Sequence, residues 1–291
     1  MRRLRPLVLA IGLLSSAAQS ALCQQWSAPE TIANLDTALI SEASGIAASR
    51  IEPGRLYHIN DSGDGPFVYV TDAKGAATRK VRIAGFDDPQ DVEDIAVGPC
   101  AEAASCLFVG DIGDNLKVRP SLRFAVIAES QAPGEVMTPA RIIEARYPDG
   151  AHDAESFAIH PNGDLFLITK PYDFENHVSH VARIFRLSAA QLAGKAGEVQ
   201  TFSEVGAIDL PYYLFEGFLN QVATAMDIAP DGSRTLILTY RNVFEWEQDL
   251  AGPWGPLRGL RPGKDFVVTP IARLPQAEAI TYADGGDTII Y

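Results

Sequence analysis

The chain has 291 residues, 24 of them Lys or Arg against 37 Asp or Glu, and a formal net charge of -13. That acidity excludes general nucleic-acid binding, which needs positive charge to displace phosphate counterions; it suits metal ions or cationic partners. No apolar run reaches the roughly 20 residues of a spanning helix, so no transmembrane anchor is expected.

In chain order, the first element is a secretion signal over residues 1–23. Arg2, Arg3 and Arg5 precede an apolar stretch, residues 7–14, and a small-residue tail, residues 15–21, the pattern of a cleaved leader. Cleavage after Ser20 or after Cys23 fits the tail. A lipoprotein cut before Cys23 fits poorly, because Leu22 is bulky. Removal of this segment leaves 21 basic against 37 acidic residues, or -16. A periplasmic or secreted location follows. In that oxidising setting Cys100 and Cys106 are expected to form a disulfide, whose short loop gives about 2 kcal/mol in the chain-entropy account.

Residues 24–291 read as one domain built on a repeat. Its starts are Ser44-Gly45-Ile46-Ala47, Glu93-Asp94-Ile95-Ala96, Glu155-Ser156-Phe157-Ala158, Met226-Asp227-Ile228-Ala229 and Glu278-Ala279-Ile280-Thr281. Each is followed by a turn, such as Pro161-Asn162-Gly163 or Pro230-Asp231-Gly232, whose residues fix or invert φ. A second β-rich run comes next, and most units continue with two more. Four short strands per unit is the signature of a β-propeller blade. The expectation is an all-β, single five-bladed β-propeller with almost no helix; six blades or an irregular sandwich are the alternatives. Residues 26–32 are expected to close the last blade as its outer strand; that blade is then either short by one strand or continued beyond Tyr291.

In such a fold the lead-in to each first strand and the turn after each second strand share one face. Ser44, Glu93, Glu155, Met226 and Glu278 then line the mouth, with Glu42, Asp91, Asp153, Thr224 and Gln276 two residues upstream. The second turns add Asn60, Asp61 and Asp111, and the bases Lys170 and Arg241. Crowded carboxylates stay ionised only if cations compensate. One reading is internal pairing of Glu155 and Glu278 with Lys170 and Arg241, which could otherwise clamp an anionic ligand. The other is a hard cation, with Ca²⁺ the best match because it takes six to eight oxygens. Asn60, Asp61, Glu93, Asp111 and Glu278 are its candidate ligands.

The strings Glu42-Ala43-Ser44-Gly45-Ile46-Ala47, Asn60-Asp61-Ser62-Gly63, Asp91-Val92-Glu93-Asp94-Ile95-Ala96 and Gly110-Asp111-Ile112-Gly113-Asp114-Asn115 resemble a family of secreted bacterial propellers of unassigned function. More distantly, they are similar to gluconolactonase/paraoxonase-like and phytase-like propellers. The match covers residues 42–115; beyond them the repeat and Glu278 carry it. Five repeats stand where those relatives have six blades. The resemblance implies mouth carboxylates and an Asn, here Glu93, Asn60, Asp111 and Glu278, around a Ca²⁺ that polarises a lactone or phosphoester.

His152, beside Asp153, is a candidate general base. His177 and His180 lie in an inserted loop with no obvious third ligand. A second insertion, residues 211–222, carries Tyr212 and Tyr213, which form either a ligand wall or a plug. No G-x-S-x-G, P-loop or H-E-x-x-H occurs, which argues against serine hydrolases, NTPases and zincins. Three function classes remain. One is a monomeric propeller that binds a small molecule, a carbohydrate or an envelope partner; another is a Ca²⁺-assisted hydrolase of lactones or phosphoesters; the third is a redox or lyase activity with no motif in the sequence.

Overall fold

The computed structural model describes residues 26–61, 63–130, 133–170, 172–173, 178–179, 181–208, 210, 222–253, 266–272, 274 and 276–291. The first sheet is a meander of β1 (Ala43–Ala48), β2 (Arg55–Asn60), β3 (Phe67–Asp72) and β4 (Arg79–Ile83). The second contains β5 (Val92–Gly98), β6 (Cys106–Asp111), β7 (Leu122–Ala128) and β9 (Arg141–Arg146); the short β8 (Val136–Met137) between them pairs in parallel with β4 of the first sheet. The third contains β10 (Ala154–Ile159), β11 (Leu165–Thr169), β14 (Ala182–Leu187) and β16 (Ser203–Ile208). A ribbon of β12 (Tyr172–Asp173) and β13 (Val178–Ser179) leaves it, and β15 (Val199–Thr201) pairs in parallel with β9. The fourth contains β17 (Ala223–Ile228), β18 (Thr235–Thr239), β19 (Asn242–Trp246) and β20 (Val267–Pro270). Last come β21 (Thr281–Ala283) and β22 (Thr288–Ile290), a two-stranded sheet.

The arrangement is that of a β-propeller, because each sheet packs its face on the next and each contact has its own core. Tyr57, Val68, Ile95 and Val109 fill the first. Phe108, Phe124, Phe157 and Phe185 fill the second. Phe166, Ile184, Met226 and Phe244 fill the third, and Leu236, Val243, Ile280 and Tyr282 the fourth. Both faces of the inner strands are therefore covered, so β5, β6, β10 and β11 are buried along their whole length, and they lack the alternation of a half-exposed strand. Among the described residues the one α-helix, α1 (Ala189–Leu192), is a single turn held by a capping box from Ser188 and Gln191.

Four sheets are complete blades, against the five expected. The unit begun at Glu278 reaches two strands. Its expected closure by residues 26–32 does not form, since residues 26–36 carry no strand. Pro29 has no N–H to give a ladder. Trp26 instead lies tilted against Tyr282, ring centroids 6.5 Å apart, and donates its indole N–H to Glu245.

The repeat register needs one further correction. All four inner strands carry a bulge opposite the second strand, between Ala43 and Gly45, Val92 and Asp94, Ala154 and Ser156, and Ala223 and Ala225. The extra residues are Ser44, Glu93, Glu155 and Thr224. Thr224, not Met226, is the fourth unit's counterpart of Glu93, and Met226 lies in the core at 3% exposure.

Candidate functional site

The bulges set the site. A bulge bends the strand and re-aims one residue, and here it does so where each first strand begins. Asp61 leaves the end of β2, and its backbone N–H is tied to the Glu42 carbonyl at 2.9 Å. Asp91 and Glu93 open β5. Carboxylate oxygens of Asp61, Asp91 and Glu93 lie within 4.8 Å of one another. Glu93 is 5% exposed and accepts from the Ser44 hydroxyl at 3.1 Å. Burial, reinforced by Asp61 and Asp91, raises its pKa above the ordinary carboxylate range. Burial also raises that of Asp91, with help from Asp61 and Asp153. Gly113 makes this crowding possible: a Cβ there would lie 2.3 Å from Asp91 Oδ2 and 2.6 Å from Glu93 Oε1.

Across the mouth stands Lys170, 7% exposed, at the end of β11. Its ammonium contacts Glu155 Oε1 and lies 3.1 Å from the Tyr240 hydroxyl. That hydroxyl is 3.2 Å from Glu278 Oε1. Burial lowers the Lys170 pKa, while Asp153, Glu93, Glu278 and Asp61 pull it back up. Glu155 Oε2 is buried with no hydrogen-bond partner among the described residues. One ammonium thus faces five carboxylates, those of Asp61, Glu93, Asp153, Glu155 and Glu278.

The other expected site residues fall as follows. Asp111 has no exposed surface and is occupied: Arg119 and Arg123 each reach it at 2.8 Å, and the N–H groups of Gln90 and Asp91 donate to it. It fastens a loop and has no oxygen turned to the cluster. Asn60 is a clasp as well, donating to the Leu39 carbonyl at 3.0 Å and accepting from the Glu42 N–H. Arg241 donates to the Tyr240 carbonyl at 3.0 Å. His152 is turned onto β14, where it meets Asp149 at 3.0 Å and Arg183 at 2.8 Å and packs on Phe185 and Tyr147. Tyr212, Tyr213, His177 and His180 lie outside the described residues. Cys100 and Cys106 form the disulfide, S–S 2.08 Å. A cavity of about 280 Å³ beside it, lined by Cys100, Phe108, Ile143, Pro161 and Leu192, sits at the opposite ends of the strands and shares nothing with the acidic mouth.

Asp91, placed at the mouth by the repeat but not named as a ligand, belongs to the site, as do Tyr240 and Gly113, which spacing did not single out. Only the position of Asp91, two before Glu93, signals it.

No protein-family model matches the chain, and no curated protein matches it; the relation to gluconolactonase-like and phytase-like propellers gains no support there. Among solved structures, the chain is similar to hydrazine synthase of Kuenenia stuttgartiensis, at 14% identity and a TM-score of 0.45, covering 85% of this chain and 67% of that one. A likeness this low bears on neither fold nor chemistry.

Proposed function

We propose that this is an exported propeller that holds a hard divalent cation, Ca²⁺, in its mouth and binds an oxygen-bearing ligand there. The observation that carries the reading is the group of three carboxylates within 4.8 Å, made possible by Gly113, where a side chain would collide with Asp91 and Glu93. Carboxylates packed so closely repel unless protonated or compensated. Ca²⁺ accepts several carboxylate oxygens in loose geometry, whereas Mg²⁺ demands a tight octahedron and keeps its waters. Asp61, Asp91 and Glu93 would hold it, and Glu278 would face it across Lys170. Asn60 and Asp111 drop out of the ligand set.

The two-stranded sheet is, in this reading, the inner half of a fifth blade. The inner strands pack in sequence, β1 on β5, β5 on β10, β10 on β17, β17 on β21 and β21 on β1, which supports a five-membered ring around the mouth.

The test is thermal unfolding of metal-stripped protein. Ca²⁺ at a hundred times its Kd should stabilise by about 2.7 kcal/mol, with Mg²⁺ weaker and chelator reversing the effect. Glu93→Gln should unfold within about 0.5 kcal/mol of wild type without metal and respond to Ca²⁺ less than half as strongly. A melting curve indifferent to Ca²⁺ and chelator leaves internal pairing as the account of the mouth.

A second reading, Ca²⁺-assisted hydrolysis of lactones or phosphoesters, is favoured by one observation: the Lys170, Tyr240 and Glu278 chain places proton-handling groups beside the cluster. Turnover of such substrates that chelator abolishes would support it, and none in a broad screen would leave the binding role.

A further inference from the structure

The loop from Gly113 to Arg119 begins on the carboxylate cluster, exposes its tip at residues 115–118 and returns to the buried Asp111 through Arg119. It is firmly built. The Asp114 carboxylate accepts from the Val118 N–H at 3.0 Å and the Arg119 N–H at 2.7 Å. The Asp114 N–H is held by Asp153 at 2.9 Å. Arg119 donates to the carbonyls of Gly113 and Asp111 and pairs with the Asp111 carboxylate. Lys117 sits at φ 55°, a left-handed conformation that costs a residue with a side chain about 1 kcal/mol.

On this anchored frame Leu116 is 81% exposed and Val118 is 71% exposed, the two highest values among the exposed large hydrophobic side chains of the described residues. A flexible tip could fold such residues down. This one is tied so that they stand out. Leu116 is three residues from Gly113, hence at most about 11 Å of extended chain from the point that touches Asp91 and Glu93.

We infer that the mouth takes a soluble amphiphile, with an anionic or carbonyl oxygen head completing the shell of the bound cation and an aliphatic or aryl tail lying on Leu116 and Val118. The inference rests on the cation reading above. With one oxygen from each of Asp61, Asp91 and Glu93, an ion that takes six to eight oxygens keeps positions for the oxygens of a ligand. A purely polar ligand would leave the two aliphatic side chains in water, whereas an apolar tail removes them from it, at roughly 25 cal/mol per Å². Without the cation, the acidic mouth repels an anionic head, so binding requires both.

The test compares three probes by titration calorimetry, each below its micellar range, with and without Ca²⁺: inorganic phosphate, n-octyl phosphate and n-octyl glucoside. Ca²⁺ alone is titrated first. The expected result is Ca²⁺-dependent binding of octyl phosphate at least tenfold tighter than phosphate, with octyl glucoside weaker than both. Leu116→Ser with Val118→Ser should remove that tenfold gain while Ca²⁺ affinity and melting temperature stay at wild-type values. Equal affinity for phosphate and octyl phosphate overturns the inference, as does a gain that survives the double substitution. Equal binding of octyl glucoside overturns the role of the head. Binding to anionic phospholipid vesicles without binding to octyl phosphate overturns it too, since the tip would then read a bilayer. Failure of Ca²⁺ alone to bind sinks the cation reading as well, which separates the two failures.

Discussion

At the scale of single residues, the mouth depends on groups of different kinds. Gly113 matters for what it lacks. The atoms its Cβ would strike are the ends of flexible carboxylate side chains, so Gly113→Ala should spread Asp91 and Glu93 apart without unfolding the chain. The expected outcome is a Ca²⁺ affinity at least tenfold lower with the melting temperature of the metal-free protein nearly unchanged, read by calorimetry and circular dichroism. His58 matters for charge of the opposite sign, away from the mouth. It is 2% exposed, lies 2.9 Å from the Thr71 hydroxyl, and burial pulls its pKa down from 6.5 to about 4. The folded state therefore favours neutral imidazole. Its contribution is fully present above pH 6.5 and is lost as pH falls from 6.5 towards 4, by about 3 kcal/mol at most. Urea unfolding of wild type and His58→Gln across that window should show a shallower acid decline in the variant; parallel curves would remove His58 from the account.

At the scale of elements, the inner strands are joined edge to edge by side chains rather than by ladders. Asp94 is 2% exposed, and its two oxygens accept from its neighbour Ile95 and from Phe157 in the next sheet, at 2.8 and 2.9 Å. Asp227 does the same with Ile228 and Tyr282, and also takes the Thr281 hydroxyl. Asp94→Ala leaves two buried N–H groups without acceptors and should cost about 2–4 kcal/mol; Asp94→Asn, which keeps one acceptor, should cost less. Equilibrium denaturation of the three proteins measures this. These elements also mark how far the sequence could be read. The turns and second strands were legible because Asn162-Gly163 and Asp231-Gly232 announce hairpins and the runs after them are β-rich. The mouth was legible in Asp61, Glu93, Glu155 and Lys170, where repeat position decides which end of a strand a residue occupies. Asp111 was misread because its partners, Arg119 and Arg123, come from the loop and strand that follow, and no repeat position points to them. Met226 was misplaced because Met-Asp-Ile-Ala imitates Glu-Asp-Ile-Ala two residues out of step, and a bulge leaves no mark in composition. The N-terminal strand failed on Pro29 and on a pattern without alternation.

At the scale of the whole molecule, the four cores are separate, and what unites them is the ring of inner strands. The main contacts between inner strands run from neighbour to neighbour, so stability passes round the ring, as in other repeat architectures. The carboxylate joints give this ring a means of being timed. The amides of Phe157 and Tyr282 each cross a seam between sheets to reach a buried aspartate, so neither can trade its proton for deuterium until that seam parts. Tyr282 belongs to a sheet of two strands and Phe157 to one of four. Native-state hydrogen exchange should therefore find the Tyr282 amide released at lower opening free energy than that of Phe157. The circle would then open at the two-stranded sheet, and those two amides would act as its clock hands.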